Sequence, residues 1–497
     1  MKSKFSMLLI SLCGCTSVMA DPPSNTPAKN IIFFLGDGMG PTTVTASRIY
    51  AVGEAGKLTI DRLKHSARIK TYSEDAQTTD SAPSMGAYMT GLKNKNDVIS
   101  MPTGTLAKEP KDLKLANGQS IHNAINLCQP RIPEQTVPSL LELAIQRGKA
   151  VGVVTTAELT HATPAATYAH ICHRDAKFDI AVQAVPNGLG YNPKLKEGIH
   201  VLMGGGRNHW TPYHAINNPQ GRADQRHLIQ EMQTQKYQYV ETASALQHAN
   251  PNQKILGLFS ATSHLHYDLD RINKNIVEQP SLSEMTLKSI QMLEAQSKGR
   301  GWFLMVESGR IDHALHANNA KRALHETKAF DDAIHAAIQQ VDLSNTLIVV
   351  TADHDHVMTF NGYNALTGKT TPNQPGILGL NYHYQITTQP DALAKKMADG
   401  KLHAPSLDVN GNTNTVLVFG NGKRQRENIQ QSVTESQVFD DNYQQAVGVQ
   451  LDRSETHGGG DVMLFAEGKN AHLFKGTQDN IWVFQQIIKA VGFTDHE

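Results

Sequence analysis

Three short apolar runs in this 497-residue chain stop at side chains that bind cations. Asn30–Leu35 leads to Asp37, Trp302–Val306 to Glu307, and Thr346–Val350 to Asp353 and His354. Carboxylate and imidazole donors of this kind hold zinc or harder divalent ions. One acid after a strand is routine, because loops are polar. Three runs that end alike point to a shared site. Asp312 and His316 extend it. Four residues apart on a helix they share one face, with Cβ atoms about 5–6 Å apart, whereas His313 would point about 100° away.

Thr79-Asp80-Ser81-Ala82-Pro83 is a second candidate. Pro83 suits the first turn of a helix, and Asp80 or Ser81 suits its cap. A hydroxyl there lies beside the positive helix end, where an alkoxide is favoured, although a plain cap is the commoner role for such a serine. No Gly-x-Ser-x-Gly elbow occurs, so a hydrolase triad of that kind has no support. Gly36-Asp-Gly-Met-Gly40 lacks dinucleotide spacing, Gly368-Lys369-Thr370 lacks the upstream glycine of a P-loop, and His325-Glu326 lacks the second histidine of a zincin.

The elements that must position these residues read as α/β. The three runs, together with Ala150–Val154, are nearly continuous and rich in branched residues. Strands covered on both faces look like this, and they belong to parallel sheets flanked by helices. Ser139-Leu-Leu-Glu142 is a capping box opening a helix that ends near Gly148. Ala323, Leu324, Thr327, Phe330, Ile334, Ala337, Ile338 and Val341 repeat at helical spacing. A final helix over 479–491 is predicted to bury Ile481, Phe484, Ile487 and Ile488. The predicted fold is a large, mostly parallel central sheet sandwiched by helices, in a catalytic unit of residues 21–360 and 451–497. Residues 361–450, rich in Asn, Gln, Thr and Gly, read as a smaller inserted lobe. Asn410-Gly411 and Asn421-Gly422 there look like hairpin turns around Thr415–Phe419.

Composition removes several classes. With 39% hydrophobic and 19% charged residues the chain is an ordinary globular one, neither disordered nor collagenous. Its 46 basic and 46 acidic residues cancel, leaving no electrostatic footprint for nucleic acid. Lys2 and Lys4, the apolar Phe5–Cys13 and small residues up to Ala20 read as a signal peptide over 1–20. Leu12-Cys13-Gly14-Cys15 also resembles a lipobox, with Cys15 as the lipidated residue. Both readings export the protein, to the periplasm or medium or to the outer membrane as a lipoprotein. Cys128 and Cys172 are equally compatible with one disulfide and with two buried thiols.

Six motifs in order make the chain resemble the alkaline phosphatases from Asn30 onward: Gly36–Gly40, Thr79–Ala82, His161–Ala165, Val306–Ala314, Thr351–His354 and Glu455–Gly459. The resemblance implies a phosphomonoesterase of broad specificity, with two zinc ions and one magnesium ion, releasing inorganic phosphate. It assigns Ser81 as the nucleophile that becomes phosphoserine. Asp312, His316 and His457 would hold the first zinc, and Asp37, Asp353 and His354 the second. Asp37, Thr163 and Glu307 would hold magnesium. Arg174 would grip two phosphate oxygens, with Asp80, His161 and His313 beside the magnesium or the phosphate. Such a cluster suits phosphoryl transfer, in which charge must be neutralised and the groups aligned. With Arg174 the cations outweigh the four carboxylates and a Ser81 alkoxide by about two charges, enough to meet a phosphate dianion.

His161 and His313 stand where enteric bacterial members carry Asp and Lys, so altered affinity for the third metal is expected. Ser260 and Gln279 occupy the positions of two acidic calcium ligands of animal members, and no calcium is expected. The family also implies a homodimer. Two alternatives are a phosphodiesterase or sulfatase relative and a non-catalytic phosphate-binding protein. Met85 stands at the position a sulfatase would give to Arg, and four carboxylates without metals would repel phosphate.

Overall fold

In a computed structural model the described residues are 26–128, 136–387, 393–423 and 432–493. The signal peptide over 1–20 and Cys15 lie outside them. The four apolar runs form strands β1 (Asn30–Gly36), β3 (Ala150–Glu158), β7 (Trp302–Ser308) and β8 (Thr346–Thr351), every residue of which is buried. Six further strands complete one sheet: β2 (His65–Lys70), β4 (Val201–Gly205), β5 (Gln238–Val240), β6 (Ile255–Leu258), β9 (Val462–Gly468) and β10 (Gly476–Asp479). Their order is β10-β2-β9-β8-β1-β7-β3-β4-β6-β5. All pairings are parallel except those of β9 with β8 and β2. Branched side chains on both faces require cover on both faces, and helices supply it.

Helix Ala320–Gln340 buries Ala323, Leu324, Thr327, Phe330, Ile334 and Ala337, the face predicted from spacing. The Ser139–Glu142 capping box forms and opens helix Leu140–Gln146. In the last helix, Asn480–Val491, the buried stripe is Val483, Ile487, Ala490 and Val491. Of the four residues predicted there, Ile481, Phe484 and Ile488 are half-buried. The helix is rotated so that Phe484 lies across Gly91, where a Cβ would meet its ring.

The sheet fixes which strand ends meet. Leu35 pairs with both Glu307 and Thr351, and Thr155 pairs with Glu307, so β1, β3, β7 and β8 end at one edge. Because β9 runs the other way, its N-terminal approach, Glu455–Asp461, reaches that same edge. Asp355–His356 pairs there with His457–Gly458.

Between Asp355 and Leu451 the chain forms two three-stranded sheets apart from the main one, with a small apolar cluster of Leu380, Tyr382, Val433, Val438 and Tyr443. Asn410-Gly411 is a tight reversal, with Leu407 bridged to Thr413. Asn421-Gly422 is not a turn, because both residues lie inside strand Leu417–Lys423. Gly422 is needed instead for close approach, since a Cβ would strike the Asn318 amide. Cys128 and Cys172 form a disulfide. No helix among the described residues is long and apolar enough to cross a membrane.

Candidate functional site

Helix Ser81–Thr90 begins at the sheet edge with Asp80 as its cap, the Asp80 carboxylate accepting from the Ala82 N–H at 3.2 Å. This places Ser81 in the first turn, its Oγ 3.2 Å from His354 Nε2. The same Nε2 lies 3.4 Å from Asp37 Oδ1 and 3.3 Å from Asp353 Oδ2. Gly38 and His354 donate backbone N–H groups to Asp353 Oδ1, both at 3.0 Å, which leaves Oδ2 free to face inward.

Asp312 and His316 share a face of helix Arg310–His316, with 3.2 Å between Oδ1 and Nε2. His457 arrives from the loop before β9, its Nε2 3.1 Å from His316 Nε2 and 3.5 Å from Asp312 Oδ1. His316 Nδ1 donates to the Glu455 carbonyl at 2.6 Å, and His457 Nδ1 donates to the Thr79 carbonyl at 2.9 Å. His354 Nδ1 donates to the Asp355 carbonyl at 3.3 Å. This tautomer turns each Nε2 lone pair toward the carboxylates, the arrangement that suits metal-binding histidines.

On the other flank, Glu307 accepts the Thr155 hydroxyl through Oε2. Its Oε1 is buried without a partner, as are both Asp37 oxygens, Asp353 Oδ2, Thr163 Oγ1 and His161 Nδ1. Asp37, His161 and Glu307 can face one ion, as can Asp37, Asp353 and His354. A partnerless buried polar atom costs about 1–3 kcal/mol, and more when charged. Five of these atoms, the four carboxylate oxygens and the Thr163 hydroxyl, lie around one sheet edge and fit bound cations.

The electrostatics agree. Burial pushes the Glu307 carboxyl up to about 8 and the Asp353 carboxyl to about 7, with neighbouring carboxylates adding to the shift. Burial, with Asp312 and Glu307, also raises Asp37 well above its ordinary value. Asp312 goes the other way, because His316, His356 and His457 outweigh its burial. Burial and the neighbouring His354 bring His457 down to about 4.

Arg174 ion-pairs with Asp80 through Nη1 and donates from Nη2 to His161 Nε2 at 3.1 Å. Its backbone N–H donates to the Asp97 carbonyl at 2.8 Å, which holds the segment against the helix cap. His313 points away from Asp312 as its spacing predicts. Its ring centroid is 5.4 Å from that of His161 and 4.1 Å from that of His264, a neighbour the sequence did not single out. Gln279 donates to the Phe259 carbonyl and accepts the His266 N–H, so both ends of its amide are occupied.

Two further buried residues, His356 and Glu455, had no role assigned from the sequence, although Glu455 opens the last of the six motifs. His356 places Nε2 2.8 Å from Asp312 Oδ1 and Nδ1 2.6 Å from Glu455 Oε2. Burial disfavours its charge, but the two carboxylates prevail and its pKa stands at about 10. The Asp-His-Asp-His run 353–356 and the acid two residues before His457 were the available signals.

Comparison with known proteins accords with this geometry. The alkaline phosphatase family model matches residues 28–493. The chain is 35% identical to the tissue-nonspecific alkaline phosphatase of Gallus gallus, covering 92% of this chain and 83% of that protein. It is 33% identical to the alkaline phosphatase of Gadus morhua, covering 92% and 90%. Among solved structures, the Thermus thermophilus alkaline phosphatase superposes with a TM-score of 0.64 at 24% identity, covering 98% of this chain and 96% of that one. A cold-active alkaline phosphatase from Shewanella sp. gives 0.61 at 23%, covering 93% and 99%, and both structures show the common fold. The chain therefore belongs to the alkaline phosphatase family, the metal-dependent phosphoric monoester hydrolases.

Proposed function

We propose that the protein hydrolyses phosphate monoesters of broad leaving-group type through a phosphoserine at Ser81. The site would be completed by zinc at Asp312, His316 and His457, zinc at Asp37, Asp353 and His354, and magnesium at Asp37, Thr163 and Glu307. The observation that carries this reading is the set of partnerless buried donor atoms facing one edge of the sheet. Bound zinc and magnesium supply the positive charge that activates hydroxyl and water and steadies the phosphoryl group. Ser81 Oγ forms the bond to phosphorus as the ester oxygen departs with a proton. Water then cleaves the Ser81 oxygen–phosphorus bond, freeing inorganic phosphate and restoring the hydroxyl. The start of helix Ser81–Thr90 favours the developing negative charge. Arg174 offers two parallel N–H groups to phosphate oxygens, and its bond to Asp80 orients it beforehand. His161 and His313 flank the magnesium position and would tune which third ion binds there.

Export by a signal peptide, with Cys15 as an alternative lipid anchor, is part of the same reading. The Cys128–Cys172 disulfide favours an oxidising compartment. A homodimer is supported by exposed apolar side chains on the inserted lobe, among them Tyr363, Leu366, Tyr384 and Val409. The nucleophile assignment is tested by labelling with radioactive phosphate at acidic pH. Wild-type protein should accumulate phosphoserine, and Ser81→Ala should take up none while keeping its metals. Undiminished labelling of the variant would reject Ser81.

A further inference from the structure

We infer that Glu455 is the positioning residue of the first zinc site, holding two of its ligands at once and fixing the approach of the third; this deepens the metal assignment above and rests on it. The residue is buried and uses every polar group it has. Its Oε2 receives the His356 Nδ1 proton at 2.6 Å, and His356 Nε2 donates onward to Asp312 Oδ1 at 2.8 Å. Its Oε1 accepts the Val357 N–H at 3.0 Å, which holds the second oxygen of the carboxylate in place. Its carbonyl receives the His316 Nδ1 proton at 2.6 Å, and its own N–H donates to the His316 carbonyl at 3.2 Å.

One side chain and one peptide unit thus set the rings or carboxylates of Asp312 and His316. The third ligand, His457, is two residues further along. Between them, Thr456 is clamped by Asn421, which accepts the Thr456 N–H at 3.0 Å and donates to its hydroxyl at 2.9 Å.

Glu455 lies within reach of one ion together with His316 and His356, but its two carboxylate oxygens are already engaged by the His356 Nδ1–H and the Val357 N–H. Among the assigned site residues, the buried atoms left without partners belong instead to Asp37, His161, Thr163, Glu307 and Asp353. The Glu455 carboxylate supplies the acceptor that keeps the His356 ring oriented, with Nε2 directed at Asp312. Carboxylates placed this way behind a metal site typically contribute about 10–100-fold to metal affinity.

The test follows zinc loss rather than turnover. Zinc-loaded wild type, Glu455→Gln, Glu455→Ala and the control Glu142→Gln would be mixed with a chromophoric chelator at neutral pH. Glu142 is a buried carboxylate that binds His170 and Asn192 away from this loop. Glu455→Ala should lose one zinc equivalent about 10–100-fold faster than wild type. Glu455→Gln keeps an oxygen for His356 and should fall between them, while Glu142→Gln should match wild type. Equal rates for all four proteins would overturn the inference while leaving the zinc assignment intact. Equal acceleration in Glu142→Gln would also overturn it, by showing a general loss of packing. Should Glu455→Ala fail to fold, the Glu455→Gln rate alone decides. Wild-type protein that carries no zinc would remove the metal reading itself.

Discussion

Loading zinc and magnesium into the metal-free protein should expel protons, in a number set by the crowded carboxylates. Glu307, at about 8, and Asp353, at about 7, are raised by burial and by each other's surroundings. At pH 6 a group of pKa 8 is about 99% protonated and one of pKa 7 about 90%, so this pair holds close to two protons. Asp37 is also raised, and His316 is raised because Asp312 beside it overcomes its burial; both add to the count. His457, near 4, is already neutral and adds nothing. Ordinary carboxylates would hold less than about 0.1 proton between them at that pH. Zinc and magnesium both require the deprotonated forms of their ligands. Calorimetric titration at pH 6 in two buffers of different ionisation enthalpy should therefore report at least about two protons released per chain, and fewer at pH 8.5. Release below about half a proton at pH 6, or a count unchanged with pH, would refute the claim that these carboxylates face one another in a shared cation site.

The same protonation sets a stability trend. Because the folded pKa values of Glu307 and Asp353 exceed their unfolded values, the metal-free fold binds more protons than the unfolded chain between about pH 4.5 and pH 8, and its stability should fall as pH rises through that window. Melting of chelator-treated protein at pH 5 and pH 8 checks the sign, and protein loaded with zinc and magnesium should lose much less. Arg174→Lys removes the planar fork held by Asp80 and should lower kcat/KM about 10–100-fold with metal content unchanged, as steady-state kinetics would show. Asp312→Asn should release zinc under mild chelation that spares wild type; full activity there would argue against its being a ligand. Cys128→Ser should destabilise the fold by about 2–4 kcal/mol in urea titration, since the bond closes a 44-residue interval.

What could be read beforehand follows from periodicity. Strands β1, β3, β7 and β8 are buried on both faces, so their apolar runs are nearly unbroken, and the acids that close the runs of β1, β7 and β8 announced the site. Asp312 and His316 were visible because a helix puts positions four apart together. Strand β9 reaches the site with its opposite end, a fact no local pattern carries. His356 and Glu455 meet only through the pairing of Asp355–His356 with His457–Gly458, across about a hundred residues of intervening chain. Gly422 misled because a glycine needed for close approach looks like a glycine needed for a turn. The last helix misled because which face is buried depends on how it packs against helix Ser81–Thr90, and Phe484 settles that by lying across Gly91.

The central claim is that bound cations convert a nest of buried carboxylates into a phosphate site. Phosphate release from an aryl phosphomonoester should be followed as purified, after chelation with metal removal confirmed by elemental analysis, and after zinc and magnesium are restored. The account predicts turnover that disappears with the metals and returns with them. Undiminished turnover by protein shown to contain neither zinc nor magnesium would contradict it.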